Sequence, residues 1–387
     1  MIVNSLLDQD WYKLTMGRVY FHNYSNIWGR YVFKCRNDVS WTEKMLNEID
    51  RELDHLCTLY FTTEELNFIS SIPYMKEAKG FIEFLGMMKL NRKYIKTWLN
   101  NDKLHIEAEG PIFVVTYFEI FVLSIVNEIY FKNKFPNFDP QKEGVQKLQD
   151  KIQSVKNNPF KFSEFGTRRR FSFEWQNYVV QQLVSSLPKH IFVGTSNPYF
   201  AMKYNITPIG TQAHEFICLG QAIEGVTLAS SQKHQLQVWA NEYRGDLGYA
   251  LSDTLGFDKF LRDFDRYFAQ LFSGMRHDSG DPFDWAEKAI AHYNKLNIDP
   301  KTKQLIFSDG LDFPLAHRLN DAFKDRALVS FGIGTNLTND VGVTPLQIVM
   351  KLVEANGRPV AKISDNPSKG MCEDEAFLSY LKKVVKE

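Results

Sequence analysis

The chain has 387 residues, 44% hydrophobic and 24% charged, which suits two domains or one large α/β domain rather than a single small core. Lys+Arg and Asp+Glu balance at 46 each, so no global basic field exists for nucleic acid or anionic lipid, and any anion site must be a local cluster. Cys35, Cys57, Cys218 and Cys372 form no CxxC pair and no zinc spacing, which fits a reducing compartment.

The opening MIVNSLLDQDWYKLTM carries charges where a signal peptide needs an apolar core, so the protein reads as mature from Met1. A long helix is expected over about residues 5–24, placing Trp11 and Tyr12 on an aromatic stripe beside Lys13. A strand is expected near 29–36. The stretch 111–131, PIFVVTYFEIFVLSIVNEIYF, is long enough to cross a bilayer. Glu119, Asn127, Glu128 and the lack of a basic flank argue instead for a buried strand over 112–117 followed by a core helix. The proline-marked, polar stretch 135–159 reads as loop, exposed helix and loop, and is the expected domain boundary.

FGTRRRFS (165–172) precedes a helical face of Phe171, Trp175, Tyr178, Val179 and Leu183. A helix start near Gly166-Thr167 would gather free N–H groups and three arginines into one anion site. From here the rhythm changes. Six short apolar runs each end in a polar loop: His190-IFVGTSN, Asn205-ITPIGTQAHE, Leu247-GYALSDTL, Gly274-MRHDSGD, Gln304-LIFSDGLD and Ala327-LVSFGIGT. Strands of this kind, separated by helical pattern, predict a parallel α/β domain, a barrel with its loops gathered at one face. In GTQAHE (210–215), Thr211 is a candidate helix cap, which would put His214 where a capping box wants Glu or Gln. His214 is then a polar first-turn residue, a ligand for an anion, or a chemical group in its own right.

In GMRHDSGDP, Arg276 offers a fork for an anion. Asp278 and Asp281 offer carboxylates for hydroxyls or for substrate-held magnesium, while His277 points the other way. The glycine loops FSDGLD (307–312) and FGIGTNLT (331–338) close two strands. Leu337 stands where a dinucleotide fingerprint needs its third glycine, and there is no P-loop. No Ser or Cys sits on a nucleophile elbow. Near the end, IVMKLVEANGRPVAKISD reads as two strands around an Asn356-Gly357 turn, returning to pair with the N-terminal part of the chain. The sum is several phosphate-grade sites, acidic turns, an aromatic and an odd histidine, which suits a sugar phosphate carrying a second anionic group.

LLDQDWYKLTM, FGTRRRFS, VGTSN, IGTQAHE, MRHDSGDP, FSDGLD and SFGIGT, in this order, resemble nicotinate phosphoribosyltransferases, from Leu6 to the ISDNP segment at 363–367. The resemblance implies an irregular α/β barrel plus an α/β domain formed from N- and C-terminal segments, a type II phosphoribosyltransferase-like fold. Its domains would be 1–134 with 345–387, and 135–344. It implies a cytoplasmic homodimer that joins nicotinate to 5-phosphoribosyl 1-diphosphate, giving nicotinate mononucleotide and pyrophosphate for NAD synthesis. Mg2+ would accompany the diphosphate, and ATP would be a co-substrate acting through a phosphohistidine at His214. Neither a nucleic acid nor a membrane is expected as a partner. By the same resemblance Tyr12, contributed by the partner subunit, stacks on the pyridine ring. Arg168 and Arg276 flank the base and the diphosphate, and Asp278 holds ribose hydroxyls or the magnesium shell. Gly310, Gly334 and Thr335 line the 5-phosphate pocket, and Thr167, Thr211 and Ser308 bind substrate. Some relatives carry Asn in place of Gly310. The rival readings are a sister enzyme for nicotinamide or quinolinate, a phosphosugar isomerase or aldolase, and a phosphosugar sensor. No strand run carries the lysine a Schiff-base aldolase needs.

Overall fold

The computed structural model describes residues 1–365 and 372–386, so Asn366 and Pro367 of the ISDNP segment lie outside the described residues. Two compact units are present: Met1–Gly210 with Ile333–Lys351, and Thr211–Gly332 with Leu352–Glu387. The polar loop at 135–140 lies inside the first unit.

In the first unit, β1 (Trp28–Cys35), β2 (Ile95–Asn100) and β3 (Lys103–Pro111) are antiparallel, with β3 in the centre. The chain segment after residue 346 returns here, since Arg36 N donates to Gln347 O at 3.0 Å. The opening helix is shorter than expected and runs Trp11–Asn23. Residues 6–10 form a turn because Asp8 and Asp10 are pulled into side-chain bonds rather than left to a helix. The expected strand at 112–117 is also corrected: Pro111 ends β3, and Ile112–Val115 and Phe118–Lys134 are helices. Burial around most of the helix accounts for the apolar run, so the stretch 112–134 is apolar enough to span a membrane, yet 83% of its most apolar 18-residue window is buried in protein. Three parallel strands follow, β4 (Phe162–Glu164), β5 (Phe192–Thr195) and β6 (Thr207–Pro208).

In the second unit, β7 (Arg244–Leu247) precedes the parallel set β8 (Tyr249–Leu251), β9 (Gly274–His277), β10 (Gln304–Phe307) and β11 (Leu328–Ile333), which pair in that order. Phe307 and Phe331 stack at 5.6 Å, and Trp285 from the helix Pro282–Lys295 meets Phe307 edge-on at 5.4 Å. Burying these rings drives helix against sheet. The expected hairpin is present as β12 (Ile348–Ala355) and β13 (Arg358–Pro359), with Ala355 opposite Arg358. Asn356 (φ 48) and Gly357 (φ 72) both take the left-handed conformation that a two-residue type I′ turn needs. The fold is mixed α/β with half-barrel runs of parallel strands, as the six apolar runs predict.

Candidate active site

The three arginines of FGTRRRFS do not converge. Thr167–Arg169 is a single 3-10 turn, and the following helix starts at Phe173, capped by Ser172 Oγ accepting from Trp175 N at 3.1 Å. The expected helix-start anion site is therefore not built. Arg170 is fully buried and forks onto Asp8 at 2.6 and 2.8 Å. Arg169 donates to Ile348 O and Gln347 Oε1. Arg168 stays partly exposed, with Nε 3.3 Å from Asp10 and its guanidinium carbon 5.9 Å from the Tyr12 ring centre. Tyr12 and Arg168 of one chain thus already stand side by side.

Beneath this turn lies a buried polar lattice. Glu164 accepts from Thr195 Oγ1 at 2.5 Å, from Gln176 Nε2 and from Gly166 N. Gln176 also donates to Thr167 Oγ1 at 3.0 Å, and Asn197 donates to Asp8 at 2.7 Å. Thr167 is therefore turned into the protein. Gly334 and Thr335 lie in the same unit, in a loop tied to the turn: Phe165 N donates to Ile333 O at 2.8 Å and Thr338 Oγ1 to Gly166 O at 3.0 Å.

The second unit gathers the other motifs at the strand ends. Ala213, not Thr211, precedes the helix His214–Leu219, so His214 is its first residue and no capping box competes for the position. Thr211 Oγ1 donates instead to Tyr249 O at 3.2 Å. His214 Nε2 lies 2.8 Å from Asp253 Oδ1 and 3.3 Å from Asp278 Oδ2, so Asp253 fixes the ring. Asp253 Oδ2 accepts from Ser279 Oγ at 2.6 Å and from Lys362 Nζ at 2.8 Å. Burial pushes the His214 imidazolium down to about 4, and the Lys362 cation adds to this against the pull of Asp253. Burial alone would raise Asp253, but His214 and Lys362 hold its carboxyl well below the usual range. The outcome is a neutral imidazole against an ionised carboxylate.

Ser308 Oγ bonds His277 O at 2.9 Å and Asp278 Oδ1 at 3.2 Å. Gly310 is left-handed (φ +57) with open space where a Cβ would stand. His277 faces inward, 1% exposed, against Trp285 and Phe307. Asp281 is occupied as a helix cap, accepting from Phe283 N and Asp284 N at 2.9 Å each. Arg276 Nε is buried and meets no hydrogen-bonding partner among the described residues, and both amide atoms of fully buried Gln212 are in the same position.

His214, Asp253 and Asp278 bring potential metal donors within 4.8 Å of one another. They make a poor resident cage for a hard cation. Mg2+ wants free oxygens, whereas both Asp253 oxygens are taken and one is held by a lysine. The donor set suits a magnesium ion arriving on its substrate better than a bound cofactor.

Sequence reasoning missed Asp253, Lys362 and the Asp8–Glu164 lattice. Asp253 could have been found, since LSDT closes a strand run just as HDSGD does. Lys362, beyond the hairpin, carries no local signal.

Against this geometry, the model of the nicotinate phosphoribosyltransferase (NAPRTase) family matches residues 160–387, and that of the family's N-terminal domain matches residues 7–127. The chain belongs to the nicotinate phosphoribosyltransferase family. It is 48% identical to nicotinate phosphoribosyltransferase of Acinetobacter baumannii, covering 99% of this chain and 97% of the relative. It is 49% identical to the Herminiimonas arsenicoxydans protein of the same name, over 99% and 98%. The crystal structure of nicotinate phosphoribosyltransferase from Vibrio cholerae is similar with a TM-score of 0.94 at 38% identity, over 100% of this chain and 94% of that one. A putative nicotinate phosphoribosyltransferase from Saccharomyces cerevisiae gives 0.93 at 32% identity, over 100% and 98%. Family membership makes the chain an enzyme, and the isomerase, aldolase and sensor readings fall away.

Proposed function

We propose that the enzyme joins nicotinate to 5-phosphoribosyl 1-diphosphate, giving nicotinate mononucleotide and pyrophosphate, and that ATP hydrolysis through a phosphohistidine at His214 is coupled to this reaction. The carrying observation is the neutral, buried His214 with Nε2 held by Asp253 at 2.8 Å. With Nε2–H donated to the carboxylate, the Nδ1 lone pair is the nucleophile. It attacks the γ-phosphorus of ATP, the N–P bond forms, and the bond to the bridging oxygen breaks with its electrons leaving on ADP. Water later cleaves the N–P bond and restores the imidazole. ATP thereby drives a nucleotide synthesis that is otherwise poorly favoured.

In the glycosyl transfer the pyridine nitrogen displaces diphosphate at the ribose C1 through an oxocarbenium-like transition state. Catalysis rests on positioning and on neutralising the leaving diphosphate. Mg2+ comes bound to the diphosphate. Arg276 and Asp278, two residues apart across the end of β9, face the diphosphate and the ribose hydroxyls. Tyr12 and Arg168 hold the base, Gly310, Gly334 and Thr335 the 5-phosphate, and the buried amide of Gln212 is an added donor and acceptor for ligand. The working assembly is a cytoplasmic homodimer. Nicotinamide and quinolinate remain the rival bases. Quinolinate demands an extra cation for its second carboxylate and a decarboxylation step.

The test is product formation from nicotinate, phosphoribosyl diphosphate and Mg2+, with and without ATP, for wild type and His214→Ala. Nicotinate mononucleotide, ATP stimulation, and loss of that stimulation in the variant are expected. Full stimulation in His214→Ala sinks the coupling. Turnover on nicotinamide or quinolinate in preference to nicotinate overturns the choice of base.

A further inference from the structure

The segment that follows the hairpin, residues 360–365, runs into the ISDNP segment and has no role assigned above, yet it is bonded on every side. Val360 N donates to Val353 O at 2.9 Å. Ala361 exchanges two bonds with the Gln221 amide, each 2.8 Å, and Gln221 lies in the 3-10 turn directly after the His214 helix. Ile363 N donates to Thr254 O at 2.9 Å, next to Asp253. Ser364 Oγ bonds Ser279 Oγ at 3.0 Å, and Asp365 accepts from Phe257 N at 3.0 Å. The strap therefore touches the element that bears His214, the loop that bears Asp253 and the loop that bears Asp278 and Ser279.

Between its two anchored neighbours stands Lys362, 7% exposed, with Nζ 2.8 Å from Asp253 Oδ2. The same oxygen takes Ser279 Oγ, so the other oxygen is turned to His214 Nε2. A carboxylate with two donors on one oxygen has little freedom to rotate away from the ring.

We propose that Lys362 is a positioning residue for the phosphoryl transfer, acting through Asp253 to hold the His214 ring in the attacking orientation. The proposal rests on the His214 coupling stated above. Lys362 makes no bond in the step and breaks none. The imidazole attacks, ADP leaves, and Asp253 keeps the Nε2 proton hydrogen-bonded as positive charge grows on the ring. Lys362 keeps Asp253 anionic and correctly turned. Breaking one partner of such a buried set leaves an uncompensated charge that can turn to other donors.

The experiment is single-turnover labelling of the full chain with γ-32P-ATP and Mg2+, read as acid-labile, base-stable phosphate on protein. Variants are Lys362→Met, Lys362→Arg, Asp253→Asn and the Lys362→Met/Asp253→Asn double variant, each checked for cooperative urea unfolding. For Lys362→Met the maximal labelling rate should fall at least about tenfold while half-saturating ATP moves less than about threefold, a loss of transition-state rather than ground-state interaction. Lys362→Arg should recover most of the rate. In the Asp253→Asn background, adding Lys362→Met should change the rate less than about twofold, the non-additivity expected of groups acting as one unit. Multiplying effects in the double variant overturn the proposal. So does a Lys362→Met variant whose half-saturating ATP rises at unchanged maximal rate, which would make Lys362 a direct ATP contact. If Lys362→Met does not fold, Lys362→Gln, which keeps a donor for Asp253, carries the same comparison. Wild type that takes up no label removes the His214 coupling itself, whereas labelled wild type with equally fast Lys362→Met removes only this inference.

Discussion

Glu119→Gln should cost far more than the loss of one ion pair. Lys13 Nζ is 2.7 Å from the Glu119 carboxylate, and the two side chains are 0% and 5% exposed. At an effective dielectric of about 20, that distance is worth about 6 kcal/mol of attraction. Desolvating the two ions costs several kcal/mol each, so the intact pair adds little net stability. Replacing one partner is different. Burial pushes Glu119 up, but Lys13, Lys351 and Arg168 together hold it ionised, and its loss takes the carboxylate from a buried lysine whose remaining contacts include Thr116 Oγ1 at 3.1 Å and the Tyr12 and Tyr31 rings at 5.6 Å. The expected penalty is about 3–5 kcal/mol. For a unit of this size that lowers the melting temperature by about 2–4 °C per kcal/mol. The double variant Lys13→Met/Glu119→Leu removes both charges and should recover to within about 2 kcal/mol of wild type. Urea and thermal unfolding followed by circular dichroism, with turnover measured in parallel, decide it. A single variant that loses less than about 1 kcal/mol, or a double variant no better than the single, refutes the reasoning.

Gly274→Ala should destabilise strongly, since its Cβ would stand 2.0 Å from Gln304 O inside the β9–β10 ladder that presents Arg276 and Asp278. Gly310→Asn should be near neutral, because nothing lies within 4 Å and Asn tolerates the left-handed backbone; thermal melts and turnover compare the two. Burial pushes Glu128 up to about 7 against the pull of Arg170, so its neutral form favours the fold. That stability is fully present below the unfolded value near 4.5, is lost as pH rises through about 7, and amounts to roughly 3 kcal/mol. Glu128→Gln should flatten that fall, and a variant whose melting temperature still tracks wild type from pH 4.5 to 8 would contradict it. Arg168→Lys loses the planar fork beside Asp10 and Tyr12 and should raise KM for nicotinate about tenfold, with less effect on kcat. An unchanged KM would remove Arg168 from the base site.

The strands were legible because each begins apolar and ends at a turn former, and the hairpin because Asn-Gly admits one kind of turn. Their loops follow from this, so His214, Arg276, Asp278 and Gly310 could be picked out as loop chemistry. Elements failed where long-range bonds outweighed local pattern. Residues 6–10 have helical spacing, but Asp8 is claimed by Arg170 across 162 residues of sequence. Residues 112–117 are rich in β-branched and apolar side chains, yet they form a short helix with Ile112 and Val115 buried and Phe113 and Val114 half-buried, so the apolar run leaves periodicity without a say. The arginine run shows the limit most clearly. Three neighbouring cations look like one site in sequence, and a 3-10 turn sends them to Asp10, to backbone near Ile348 and to Asp8.

The bonds that complete the His214 centre span very different lengths of chain. Ser279 reaches Asp253 across 26 residues, His214 reaches Asp253 across 39, and Gln221 reaches Ala361 across 140. At ribosomal rates of about 5–20 residues per second, the imidazole, the carboxylate and the serine leave the ribosome several seconds before the lysine does. The newborn second unit thus spends that interval with Asp253 short of its cation. Contacts of such sequence separation also form late in refolding, after the local helices. A chain that has regained its helical circular dichroism should therefore still lack its capacity to accept phosphate, and the two signals should return at different rates.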